Sequence, residues 1–211
     1  ISIPASIEPL ILQTGFLLYI RSITSLGFLA ITTHRVAIAI ESLTFMPGNA
    51  IAVACSALVG QALGARKPEE AVQAFHESAR FALYFMSAIG IAFVLFGTDL
   101  MRVFVPATNL DSEVIIAMGA LCLAIVVFSE PFFSQSLVLG GALRGAGDTK
   151  TPVIVAIIGV WGVRVPCAYL LTITFGLGLY GAWITMVIDW FVRMVVLLYF
   201  FRRGHWKEIR L

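Results

Sequence analysis

Charged side chains are scarce in this 211-residue chain: they make up 12% of it, against roughly a quarter in a soluble globular domain. That scarcity excludes a surface solvated all round, and the 60% apolar share points to hydrocarbon as the surrounding solvent. Neither sign of charge is in excess. The 14 Lys+Arg stand against 12 Asp+Glu for a net +2, so no polybasic face exists to hold nucleic acid through counterion release. Cysteine is nearly absent, and Cys55, Cys122 and Cys167 fall in separate apolar runs without ligand spacing. This excludes a disulfide framework and a zinc site and leaves them as packing residues. Histidine is as sparse: His34, His76 and His205 are isolated near expected span ends, so no metal site or catalytic triad is built from them. A membrane-embedded enzyme would need a convergent nucleophile or metal set, and none is visible. No enzymatic activity and no cofactor are expected.

What is present is hydropathy interrupted by turn chemistry. Helical spans are predicted at approximately 4–28, 35–63, 70–96, 113–143, 151–175 and 180–201, which makes an all-α integral membrane protein with a six-transmembrane-helix bundle. Gly64, Ala65, Arg66 and Lys67 close the second span, and Pro68 opens the third with Glu69 and Glu70 in its first turn. Residues 145–150 form a similar turn, with Pro152 in the first turn of the fifth span, and 175–178 make the tightest one. The longest loop is expected over 97–112, with Pro106 inside it and Asp111 or Ser112 as N-cap.

Basic residues set the orientation, because Lys and Arg near span ends are retained on the cytoplasmic side. Arg66, Lys67, Arg144, Lys150, Arg202, Arg203, Lys207 and Arg210 lie on one side, Arg35 and Arg102 on the other. Both ends are therefore expected to be cytoplasmic, in a cell inner (plasma) membrane. Trp206 and its neighbouring cations resemble an interfacial stop. The chain opens on Ile1, and residues 1–12 carry no basic n-region ahead of a cleavage site, so a longer parent is expected.

Ionisable residues within spans carry the functional signal, since each costs a few kcal/mol or more unless it faces protein or water. Asp189 and Arg193 are four apart on one helix and pair within it. Glu8 lies near the start of the first span, where it caps the helix or reaches the interface. Glu41 and Glu130 lie deeper, each near a proline (Pro47, Pro131), with no basic residue three or four positions away. They are candidates either for a proton or cation site or for hydrogen-bonded neutral acids holding helices together, with Arg21 and Arg164 as possible partners from other helices. Pro47, Pro131 and Pro166 are expected to kink their spans, either for packing or to line a cavity. Gln13, Asn49, Phe133 and Gln135 stand out among the polar and aromatic residues as candidate cavity lining, with Phe81, Phe85, Phe128 and Phe132 forming either an aromatic wall or a lipid-facing surface. Gly15, Gly48, Gly60, Gly140 and Gly141 let helix backbones approach closely.

Three blocks together carry a family resemblance: HRVAIAIESLTFMPG at 34–48 continuing to VGQALGA at 59–65; GALRGAGDTKTP at 141–152; and GAW at 181–183 followed by Asp189, Trp190 and Arg193. In order and spacing they resemble one lobe of the multidrug and toxic compound extrusion (MATE) transporters. The resemblance implies the C-terminal six-helix lobe of a twelve-helix, two-lobe antiporter, exporting small organic cations across the bilayer in exchange for sodium or protons by alternating access. It also implies a partner, either an N-terminal lobe upstream of Ile1 or a second copy. In one branch of the family an acid lies eleven residues before the Arg of the Leu-Arg-Gly turn; that position is Phe133 here, and the matched acid of the first helix falls near Gln13. Neither is ionisable, which leaves Glu130, one turn from Phe133, as the candidate substitute. A flippase of the same wider superfamily, moving a lipid-linked sugar, is the competing reading, as is a structural half inactive without its partner; the flippase would want a strongly cationic cavity.

Overall fold

The computed structural model describes residues 2–106, 111–204 and 206, with side chains described from Leu10 onward. In hydrocarbon every backbone N–H and C=O has to be satisfied within its own segment, and the chain complies: the described residues are helical and contain no strand. The elements are α1 (Ser2–Thr24), α2 (Phe28–Gly64), α3 (Pro68–Phe104), α4 (Ser112–Val126), α5 (Glu130–Gly145), a fifth rod built from α6 (Lys150–Ile157), a π-helical segment (Ile158–Arg164), α7 (Val165–Tyr169) and a second π-helical segment (Leu170–Thr174), and finally α8 (Gly178–Arg202). α2, α3, the fifth rod and α8 are each long and apolar enough to cross a membrane; α4 and α5, bent by 53°, are so only taken together, as a broken span or a re-entrant pair. α1 adds the shorter apolar run Leu10–Thr24.

Several expected boundaries move. Phe28 opens α2 rather than closing the first span, because the chain turns at Gly27, whose φ of 99° strains any side chain. His34 and Arg35 consequently lie inside α2, and Gly97 lies inside α3, which runs on to Phe104. The prolines also act differently from one another. Pro47 sits within α2 without ending it. Pro131 is the second residue of α5, and the break precedes it at 127–129, where the Phe128 and Ser129 N–H groups donate to the Ile125 and Val126 carbonyls at 3.2 and 2.7 Å. Pro166 lies between the two π-helical segments, whose wider turns accommodate the donor that proline lacks.

The turn between α5 and the fifth rod shows why its residues are needed. Gly147 takes φ 88°, which lets the Asp148 N–H donate back to the Leu143 carbonyl at 2.9 Å. Asp148 then caps the next helix: its Oδ1 accepts from the Thr151 N–H at 3.0 Å and its Oδ2 from the Thr151 hydroxyl at 2.6 Å.

Glycine brings α2 and α5 together backbone to backbone. A Cβ at Gly141 would strike the Ala52 carbonyl, one at Gly145 the Ser56 carbonyl, and one at Gly60 would lie 3.0 Å from the Gly145 oxygen. Around this seam the buried apolar residues form two clusters. One gathers Tyr19, Ile40, Phe93, Leu123 and Trp183; the other gathers Cys55, Val59, Phe75, Leu139 and Phe201. Along α2, α5 and α8 the residues between the two clusters include Glu41, Thr44, Glu130, Ser134 and Asp189, all buried. The buried carboxyl groups thus lie at mid-depth, between the two apolar clusters.

Gly141→Val is expected to push α2 from α5 at a cost of about 1–3 kcal/mol, read as a lower thermal midpoint of the detergent-solubilised protein, while Leu137→Met on the same helix leaves the midpoint within a degree or two.

Candidate functional site

The mid-depth layer holds two groupings of charge, and the helix break creates the first. Because α5 starts at Glu130, that side chain leaves the bundle axis at the bend and enters the space between α2 and α3, where Gly90 makes room for it: a Cβ there would sit 3.1 Å from the Glu130 Cγ. Glu130 is 0% and Glu41 8% exposed, so neither is directed at lipid. Thr44, one turn after Glu41 on α2, donates its hydroxyl to the Glu41 backbone carbonyl at 2.8 Å and reaches Oε1 of Glu130 at 3.2 Å. Oε2 of Glu130 has no hydrogen-bond partner, and among the described residues neither carboxyl takes part in an ion pair. Glu130 and the Thr44 hydroxyl thus share one buried spot with acceptor capacity to spare, one turn along α2 from the second buried acid, Glu41.

The second grouping centres on Asp189, which is fully buried. Arg193, one turn on, donates to it twice: Nε to Oδ1 at 2.6 Å and an Nη to Oδ2 at 2.8 Å. Arg164 of the fifth rod adds a third contact, Nε to Oδ2 at 2.7 Å. This contact is ionic but misaligned for a hydrogen bond, and Nη2 of Arg164 has no partner. Both guanidiniums lie over the Trp190 ring, at 5.6 Å for Arg164 and 4.8 Å for Arg193, and Arg164 also lies 5.8 Å from the Tyr19 ring centre. Gly159 permits the arrangement, since a Cβ there would collide with Asp189 and Arg193. Tyr19 is held in turn by its hydroxyl, which donates to the Ala182 carbonyl at 3.2 Å, and by His34, whose ring stands edge-on between Tyr19 and Trp183.

The expected site residues separate into groups. Glu41 and Glu130 are both buried, on α2 and at the start of α5. Phe133 is buried beside them, stacked on Phe45 at 5.6 Å and tilted against Trp190 at 4.4 Å. Gln135 ties α5 to α3, its amide donating to the Ala79 carbonyl at 2.9 Å. Gln13 and Asn49 are exposed on α1 and α2. Glu8 is in α1, but its side chain lies outside the described residues, as does His205. Two expectations need correcting. Arg164 pairs with Asp189 and not with either glutamate, because Asp189 presents a second carboxylate oxygen to the fifth rod. His34 is no span-end residue but a buried ring in the core. Among the aromatics, Phe81, Phe85 and Phe128 are exposed and Phe132 packs on Phe191 at 5.1 Å, so no single wall forms. Sequence reading missed the bridge made by Thr44 and the third member of the Asp189 group; a lone Arg in one span facing a lone Asp in the next was the available signal.

The MatE family model matches residues 4–170. The chain belongs to the MATE family. It is 33% identical over 208 residues to a probable multidrug resistance protein NorM of Thermotoga maritima, a match covering 99% of this chain and 44% of the relative. It is 30% identical over 208 residues to an uncharacterized transporter, YisQ, of Bacillus subtilis, covering 99% and 45%. Among solved structures, an inward-facing multidrug resistance MATE family transporter of the MOP superfamily superposes with TM-score 0.87 at 20% identity, covering the whole chain and 48% of that protein. An outward-facing one gives 0.86 at 21% identity, covering 98% and 46%. The chain spans less than half the length of these MATE relatives, and the shared fold is that of a multi-pass membrane transporter.

Asp189→Asn removes the anion from between two arginines and is expected to cost about 3–5 kcal/mol, seen as loss of monodisperse protein in size-exclusion chromatography. The double variant Asp189→Asn, Arg164→Gln is expected to recover part of that loss.

Proposed function

We propose that the chain is one six-helix lobe of a secondary multidrug efflux antiporter, exporting organic cations in exchange for protons or sodium by alternating access, with both ends cytoplasmic. The observation that carries this reading is the burial of Glu41 and Glu130 in one layer, with Thr44 of α2 bonded to Glu130 and, among the described residues, no basic residue paired to either acid. Two carboxylates buried in one dry layer are costly together, and a proton or a cation bound at either relieves that cost. A hydroxyl carries one proton, which Thr44 gives to the Glu41 carbonyl; a proton on Oε1 of Glu130 would then be donated to the Thr44 oxygen. A bound sodium would use the same oxygens as ligands. Either occupant makes the layer electrically tolerable in hydrocarbon, and its departure leaves an anionic spot that favours an organic cation.

The names of the NorM relatives support the multidrug assignment, and their greater length supports a second lobe. A lipid-linked sugar phosphate would want unengaged cations converging on a cavity. The two interior arginines are instead both bound to Asp189, which argues against the flippase reading.

Glu41→Gln and Glu130→Gln in the intact protein are each expected to lower dye efflux from cells at least tenfold and to flatten its dependence on sodium or pH. Unchanged efflux and coupling in both variants would remove the pair from the mechanism.

A further inference from the structure

Where the start of α3 meets the end of α8, the fold leaves a cavity far from the buried acids. Gly204 takes φ 77° and turns the chain back after α8, so that Trp206 stacks on Phe201 at 4.7 Å and donates its indole N–H to the Phe201 carbonyl at 2.8 Å. Phe201 in turn packs on Phe75 of α3, with ring centres 4.2 Å apart. Beside these rings lies a cavity of about 300 Å³, walled by the rings together with Val72 and Leu198. Its polar side chains are His76 and Arg202, and no carboxylate lines it.

The basic groups at this end are unequally engaged. Lys67 pairs with Glu70 at 2.7 Å, Arg80 lies 3.7 Å from Glu77, and Arg203 stands over the Tyr199 ring at 4.6 Å. Among the described residues no acid pairs with Arg202 or His76, and both are exposed. The depth is that of a bilayer surface. α3 has 37 residues, about 55 Å at 1.5 Å per residue, and so overruns a hydrocarbon core of about 30 Å. Its charged residues at this end stop at Arg80, and exposed apolar ones begin with Phe81 and Tyr84; on α8 the exposed Tyr199 and Phe200 come just before Arg202. The cavity straddles the line between water and acyl chains.

We propose that this cavity seats one anionic phospholipid from the adjoining leaflet. Its phosphate is held by the Arg202 guanidinium and the His76 ring N–H, and the start of one acyl chain lies against Val72, Leu198 and the stacked rings. A zwitterionic lipid would bring its own cation up to Arg202, and a free phosphate would leave the apolar walls uncovered. The lipid bridges α3 and α8 beneath Trp206. This site does not depend on the reading of Glu41 and Glu130.

The test is native mass spectrometry of the intact protein released from nanodiscs holding equal parts of dioleoyl phosphatidylglycerol and dioleoyl phosphatidylcholine. The variants are Arg202→Gln together with His76→Gln, and Val72→Trp, which fills the cavity while keeping both polar groups. The parent should retain one phosphatidylglycerol in preference to phosphatidylcholine, and each variant should lower that occupancy about fivefold or more. Phosphatidylglycerol brominated along its chains should quench tryptophan fluorescence more in the parent than in Trp206→Phe. Equal retention of the two lipids by the parent, or of none, would overturn the proposal, as would unchanged phosphatidylglycerol occupancy in the double variant. Displacement of the retained lipid by millimolar inorganic phosphate would make this a free-anion site and overturn the lipid assignment. Should Val72→Trp fail to fold, the double variant decides alone, since both of its side chains are exposed.

Discussion

A charge buried at bilayer depth has to be cancelled within the protein, and that requirement organises this lobe. Burying Asp189 obliges the chain to place Arg193 one turn away and allows Arg164 to approach from the neighbouring rod. Gly159 is the space this arrangement occupies. The aromatic faces of Trp190 and Tyr19 cover the guanidiniums with electron-rich surface where water is excluded. The apolar clusters above and below this layer seal it, so the polar residues of α2, α5 and α8 are forced to find one another. Glu41 and Glu130 are the exception to cancellation, which is why they stand out as a place for something mobile.

Irregular helices do the positioning. The interruption at 127–129 frees Glu130 to enter the bundle at the first turn of α5, and the π-helical segments flanking Pro166 put Arg164 at the end of a widened turn. In water such breaks would be hydrated. In hydrocarbon the backbone has to be satisfied locally, as the Phe128 and Ser129 N–H groups are by the carbonyls three residues earlier.

Much of this was legible in the sequence. Hydropathy and turn residues marked the helical rods, and the Gly-Asp-Thr-Lys-Thr-Pro run signalled a turn in which Asp148 caps the fifth rod. The depth of Glu41 and Glu130, with no cation at helical spacing, singled them out without coordinates. The hidden part depended on contacts between helices. The partner of the Gln135 amide, the Ala79 carbonyl on α3, has no signature in the sequence, and His34 reads as a terminal residue until α2 proves to start about two turns before the expected position. Arg164 offered no pattern of its own, since one basic residue in one rod does not say which acid it will meet.

The glycine seam between α2 and α5 leaves no slack in which those two rods could slide or roll past each other. They form a single stave that carries Glu41 on one edge and Glu130 on the other. The sharp bend beside this stave is the 53° break between α4 and α5, which falls immediately ahead of Glu130.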